Sequence, residues 1–384
     1  MATMSLLEDM TEQLGSNVFM RTFSFSSAQL PVLGSPRPAL ADHVVLLDGM
    51  GFIFRLIERD NGEAGPGELE KWFADDVVKQ GVREIKHTRE LLRKYLGLSL
   101  ANADGHRISV SLSGFEGLAG LILYRGPSAA PGFVPPRFTK TRVAGFVHIM
   151  SDADYFAICE YLITPSELGD YLRFREEVMS RPDPVPPVVS EAALVGQYLF
   201  DDIAAAPDPK YEAAARTLLG DSGDYVFSYV IENLATQISR RDEDSVETTY
   251  HPILLEIARL GRKELRELKT QFRLCLEAVR ADKFELPYRL CSDRTDCAFL
   301  TLPGSAEFRL RSRKALESLA AASKHELQMA KQVSIAMWRS GQIIDIDWLY
   351  SEGPNPPSEE LDRHLEVAYP FRRVSQKRLP EYYL

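Results

Sequence analysis

The residues of this chain whose types and spacing could do chemistry gather between Ala39 and Tyr95. Asp42 follows a loop and opens the apolar run Asp42-His-Val-Val-Leu-Leu-Asp48. A Gly49-Met-Gly51 turn leads into a second run, Phe52-Ile-Phe-Arg-Leu-Ile57, closed by the polar Glu58-Arg-Asp60. Hydrolysis of a phosphodiester with a divalent ion needs carboxylates converging on that ion. It also needs a cation to hold the attacking water or the charged phosphorane. Two adjacent strands supply this economically. One carboxylate leaves the start of the first strand, and a carboxylate and a lysine two residues apart share a face of the next. Asp42 fits the first acidic position, and an N-terminal helix nearby carries Glu8 and Glu12.

The stretches Ala39-Leu-Ala-Asp-His-Val-Val-Leu-Leu-Asp48, Phe52-Ile-Phe-Arg-Leu-Ile-Glu-Arg59 and Lys79-Gln-Gly-Val-Arg-Glu-Ile-Lys-His-Thr88, with Trp72, resemble the restriction-endonuclease-like (PD-(D/E)XK) superfamily. The likeness is to its bacterial nuclease-related proteins. It extends through Phe146-Val-His-Ile-Met150 and Asp152 to Leu162-Ile-Thr-Pro-Ser-Glu-Leu-Gly-Asp-Tyr-Leu-Arg-Phe-Arg-Glu176, covering roughly the first 180 residues. The resemblance implies a mixed sheet flanked by helices, a nucleic-acid substrate, Mg²⁺ as cofactor and a setting in bacterial defence or repair.

The departures from that pattern bear on activity. Where such families carry Glu-x-Lys, this chain has Arg55 and Ile57. An arginine cannot bind the metal and an isoleucine cannot stabilise the phosphorane. The glutamine common on the following helix aligns near Glu84. A shift of three places offers Glu58 and Asp60, two carboxylates at strand spacing, with Lys86 on the helix as a migrated cation. A working site would therefore use Asp42, Glu58 and Asp60 as metal ligands, with Asp42, Glu58 and Lys86 as the catalytic set. Three readings stay open: a plain buried sheet with solvated ends, a nuclease-like fold with an eroded site retained for binding, and an active Mg²⁺-dependent nuclease.

The elements that must position these residues follow from hydrophobic period. A first helix spans Ser5 to Leu14, with Ser5 and Glu8 as a capping box. Residues 17–25 read as partly extended, and a Pro/Gly/Ser loop fills 31–38. The helix from 68 to 95 puts Leu69, Trp72, Phe73, Val77, Ile85, Leu91, Leu92 and Tyr95 on one stripe. Lys79, Arg83, Lys86, Arg89, Arg93 and Lys94 take much of the rest, a solvated face or a nucleic-acid contact. Strands are expected at 107–112, 117–124 and 142–150, then helices at 152–162 and 165–179. The second of these helices opens on Thr164-Pro165-Ser166-Glu167.

The Pro-rich Arg181-Pro-Asp-Pro-Val-Pro-Pro187 predicts a stiff linker over 182–189. It would separate a nuclease-like α/β domain, 1–181, from a helix-rich α+β domain, 190–384. In the latter, helices are expected at 190–200, 209–220, 222–240, 252–281 and 307–330. A hairpin-like pair is expected at 284–290 and 298–302, and a hairpin about Ser340-Gly341. No repeat at solenoid periods is present.

Composition bounds the rest. The chain has 384 residues, 45% hydrophobic and 26% charged, the mix of a globular protein. No apolar run approaches a membrane span, and the acidic N-terminus lacks signal-peptide features. Four scattered cysteines and seven histidines predict neither a disulfide framework nor zinc, although Cys291 and Cys297 flank one turn. A cytoplasmic location is expected. A net charge of −10 argues against a broadly basic coat but allows a local basic groove, for which the 68–95 helix is the candidate. A protein partner, or a subunit role in a larger assembly, is the other binding reading. Asp345 and Asp347 read as the polar face of a half-buried strand, and His43 and His148 as core histidines. Ser111, Ser113 and Ser166 lack a nucleophile elbow, and residues 115–120 lack a nucleotide-binding fingerprint.

Overall fold

The computed structural model describes residues 5–26, 30, 40–47, 49–59, 65–94, 97–102, 107–111, 117–126, 133–200, 203–216, 229–234, 250–283, 285–304, 312–353 and 358–372. Asp60, Ser113, the 31–38 loop and most of the helix expected at 222–240 lie outside them. The protein is mixed α/β and forms two compact units, Met1–Gly223 and Asp224–Leu384.

The first unit opens with α1 (Leu6–Ser16), closed at its start by the expected capping box of Ser5 and Glu8. Asn17 accepts from the amides of Phe19 and Met20, so the first part of the stretch expected to be partly extended is a short helix, α2 (Val18–Phe23), and only its end, from Ser24, is extended. Next come β1 (Ser24–Ser26), β2 (His43–Leu47) and β3 (Met50–Glu58). Gly49, at φ +82°, makes the β2–β3 turn. The long helix is continuous but not uniform: α3 (Pro66–Trp72) passes through a π-helical stretch, Phe73–Gln80, into α4 (Gly81–Arg93). A two-stranded ladder of β4 (Gly97–Ala101) and β5 (Arg107–Ser111) follows, then β6 (Gly117–Arg125), β7 (Phe138–Thr141) and β8 (Gly145–Ser151). Helices α5 (Asp152–Tyr161), α6 (Pro165–Met179), α7 (Glu191–Leu199) and α8 (Lys210–Arg216) complete it.

The six-stranded sheet runs β1-β2-β3-β6-β8-β7. β3, β6 and β8 are parallel neighbours, while β1–β2, β2–β3 and β7–β8 are antiparallel. Strands β2 and β3 are buried along nearly their whole length, which matches their continuous apolar runs rather than an alternating pattern. α4 lies close on this sheet because two glycines allow it. A Cβ on Gly81 would fall 2.7 Å from Ile122 Cδ1, and one on Gly120 would fall 2.9 Å from Ile85 Cγ2.

The linker expected over 182–189 does not divide the units. Glu191, the first residue of α7, is buried against Arg137, Arg175 and Tyr171, which binds the segment after the prolines into the first unit.

The second unit contains α9 (Tyr250–Ala258), α10 (Arg262–Arg280), β9 (Tyr288–Ser292), β10 (Cys297–Gly304), α11 (Ser312–Leu327), β11 (Lys331–Ser340), β12 (Ile343–Glu352) and α12 (Glu359–Val367). Its sheet runs β12-β11-β10-β9, with β10 and β11 parallel across α11 and the other pairs antiparallel. The hairpin turn expected at Gly341 is present, with φ +65°. Leu300, Leu302, Ala336 and Trp338 pack with Leu316, Ala322 and Phe371 in one core cluster. Cys291 faces Ala298 in the ladder and Cys297 faces Ser292, and both thiols are free. No described helix is long and apolar enough to cross a membrane.

Candidate functional site

Asp42 extends the β2–β3 ladder by one residue, its amide donating to the carbonyl of Phe54 at 2.9 Å. That bond brings its side chain beside Arg55. The Arg55 Nη1 donates to Asp42 Oδ2 at 2.8 Å and Oδ1 at 3.0 Å, and Asp42 Oδ2 also accepts the amide of Leu56 at 2.7 Å. From the other side, Arg55 Nε makes an ion pair with Glu84 Oε2 on α4 at 2.6 Å. Gln80 Nε2 holds Glu84 Oε1 at 2.9 Å. Thr88, one helical turn beyond Glu84, accepts the amide of Ala41 at 2.9 Å. Two strands and a helix thus clamp one guanidinium between two carboxylates. Glu84 is 4% exposed, Arg55 19% and Asp42 24%, so the pair is substantially screened from water.

Glu58 is elsewhere. It lies three residues beyond Arg55 on β3, about 10 Å along the strand and on the opposite face of the sheet. There its Oε2 accepts the amide of Leu6 at 3.0 Å, and Oε1 lies 3.9 Å from Arg125. Arg125 is held more closely by Asp9 at 2.5 Å and Asp152 at 2.6 Å. Lys86 is two residues past Glu84, turned by about 200° around α4, and lies 3.8 Å from Glu90. Asp42, Glu58 and Lys86 are therefore not brought together, and Asp60 is outside the described residues. Among the described residues no group of three or more His, Cys, Asp or Glu is placed to hold a metal ion.

The expected basic face of the helix is also reduced. Lys79 lies 3.9 Å from Asp75, and Arg89 is buried, donating to the carbonyls of Ala144 and Leu118. At the outer end of β3 an open cleft of about 650 Å³ is lined by Glu58, Arg59, Glu68, Lys71, Trp72, Asp75 and Asp76. Arg59 sits over the Trp72 ring, 5.9 Å from its centroid.

A second polar cluster, not anticipated from sequence, is sealed inside the first unit. Glu191 Oε1 accepts from Arg175 Nη2 at 2.7 Å and from Arg137 Nη2 at 2.6 Å, while Oε2 accepts from the Tyr171 hydroxyl at 2.6 Å. Burial alone would raise the Glu191 carboxyl, but the Arg175 charge and hydrogen bond, then Arg137 and Tyr171, hold it well below the usual carboxylate range. Arg175 Nη1 lies 3.1 Å from His148 Nδ1. An arginine only donates, so Nδ1 accepts and the proton of the neutral ring is assigned to Nε2. Burial, and then the Arg175 charge, keep His148 well below its ordinary value of 6.5. His43 is lowered too, by burial, with Asp42 opposing. The only sequence signal for this cluster was a charged residue, Arg175, within the apolar face of α6.

No family model matches the chain, and neither a curated protein nor a solved structure matches it.

Proposed function

We propose that the first unit is a nuclease-related scaffold with an eroded site that binds a partner without cleaving phosphodiesters. The observation that carries this reading is the Arg55 guanidinium between Asp42 and Glu84. It occupies Asp42, the carboxylate expected to lead a metal site, and ties it to Glu84 through a single positive charge. The residues present do not fit a Mg²⁺ site, since Glu58 faces the other side of the sheet and Lys86 is turned away. Internal pairing of Lys79 and Lys86 and burial of Arg89 leave the 66–93 helix a face of mixed sign, which favours a protein partner over nucleic acid.

Calorimetric titration with Mg²⁺ and Mn²⁺, run beside Asp42→Asn, tests the reading. The expected result is no saturable binding up to about 1 mM metal (a very weak site at best) and no cleavage of single- or double-stranded DNA. Metal-dependent cleavage that disappears in Asp42→Asn would overturn it.

A further inference from the structure

The sheets of this chain end on strands of unequal length. The edge strands β1, β7 and β9 have three, four and five residues, whereas β12 has ten. Short edges limit pairing with other chains, and long edges are usually blunted by charged side chains (lysine above all), proline or a bulge. β12, Ile343-Ile-Asp-Ile-Asp-Trp-Leu-Tyr-Ser-Glu352, has no lysine or proline and keeps an unbroken register with β11. Only Trp348 is buried along it, and Ile343 is 66% exposed.

Its two faces differ. Asp345 pairs with Trp338 and Asp347 with Ala336, so both carboxylates share one face of the sheet. Ile344, Ile346 and Trp348 share the other. Asp347 accepts the amide of Trp348 at 2.9 Å. Asp345 makes no hydrogen bond or ion pair among the described residues. With Glu352 the strand carries three carboxylates and no base.

We propose that the β12 edge docks an extended segment of a protein partner as a fifth strand, and that this segment alternates basic and apolar residues. Main-chain ladder bonds supply affinity in such pairing, and alternate side chains supply specificity. Two cations, two residues apart, meet Asp345 and Asp347 on one face. The residues between them are apolar and lie beside Ile344, Ile346 and Trp348 on the other. A second copy of β12 brings carboxylates and no cation, so self-pairing is disfavoured. The proposal stands on the second unit alone and does not depend on the reading of Asp42 and Arg55.

The test uses the full chain and a fluorescein-labelled peptide, Thr-Val-Lys-Val-Lys-Val-Thr, followed by anisotropy, with Thr-Val-Glu-Val-Glu-Val-Thr as control. The expected result is saturable binding of the lysine peptide that weakens with salt and falls about tenfold for the glutamate peptide and for Asp345→Lys. Amide exchange should slow in β12 on binding, which reports backbone pairing and is independent of the charge variant. Absence of saturable binding up to about 1 mM peptide, equal binding by Asp345→Lys, or unchanged exchange in β12 would overturn the proposal. So would a concentration-dependent dimer in sedimentation that Asp345→Lys abolishes, since the occupant would then be a second copy.

Discussion

Arg55 holds Asp42 and Glu84 at once, at 2.8 Å and 2.6 Å, joining two strands to the helix that packs on them. One cation between two carboxylates leaves the cluster with a single net negative charge in a largely dry place. Removing the cation leaves two carboxylates facing each other. Arg55→Ala should therefore destabilise the protein by about 2 kcal/mol, below the full cost of breaking a buried pair because Asp42 is partly solvated. Urea denaturation measures it, and Arg55→Ala combined with Glu84→Gln should recover part of the loss. Equal stability of wild type and Arg55→Ala would show that the clamp contributes nothing.

The Glu191 carboxylate accepts from two arginines and a tyrosine, and Arg175 is fully buried. Glu191→Ala strands that guanidinium without its counter-charge, at a cost of about 3–5 kcal/mol. Because α7 loses its main polar tie to the sheet, limited proteolysis in the Pro-rich segment should accelerate in the same variant. A protease pattern identical to wild type would place the tie elsewhere.

How much of this was readable beforehand follows the range of the interactions. Ser5 with Glu8, Thr164 with Glu167 and the Gly341 turn are local motifs, and each forms where the spacing puts it. The buried face of α10, Leu265, Leu268, Phe272, Cys275 and Val279, follows from period alone. The extended expectation holds only from Ser24, because the Asn17 side chain competes locally for two amides and overrides the aromatic and β-branched residues after it. The clamp on Arg55 joins residues from three elements, so it needed the register of β2 on β3 and the close seat of α4. Prolines at 182–187 resemble a boundary, but the carboxylate that decides the matter comes just after them, at Glu191.

His148 gives a pH dependence with a definite sign. Its folded-state value lies well below 6.5, through burial first and the Arg175 charge second, so the folded protein keeps it neutral. The unfolded chain binds a proton there below about pH 6.5, so stability is lost as pH falls, by up to about 1.4 kcal/mol per unit. His43, lowered by burial, acts in the same direction, and Glu191 adds its loss only below 4.5. Urea midpoints between pH 7.5 and 5 should fall in wild type (a window of about two units). His148→Gln, which can still accept from Arg175, should flatten the curve. A slope unchanged in that variant would remove His148 from the account.

In the second unit the segment after α12 closes the core. Phe371 is 1% exposed within the cluster of Leu300, Leu302 and Trp338, and the Arg289 guanidinium lies 3.9 Å from its ring centroid. Phe371→Ala should cost about 3–5 kcal/mol by burial and cavity together, whereas Arg289→Lys, which keeps the charge but loses the planar stack, should cost less than about 1 kcal/mol. Thermal unfolding of both variants checks the order. A reversed order would make the guanidinium's stack on Phe371 and its bond to the Tyr369 hydroxyl the stronger tie.

Two glycines test whether close backbone approach matters where α7 meets α8. A Cβ on Gly196 would fall inside contact distance of the Tyr211 carbonyl oxygen and 3.0 Å from Ala215 Cβ, and a carbonyl on a helix has little room to move. Gly196→Ala should push the two helices apart and cost about 1–3 kcal/mol, despite the better helix propensity of alanine. Gly67, in the first turn of α3, has nothing within 4 Å of the same added atom. Gly67→Ala should be neutral or stabilise by up to about 1 kcal/mol, chiefly by restricting the unfolded chain. Chemical denaturation of the pair separates sterics from propensity. A stabilising Gly196→Ala would mean that the α7–α8 contact yields easily, and that the helices are not held at that distance by their packing.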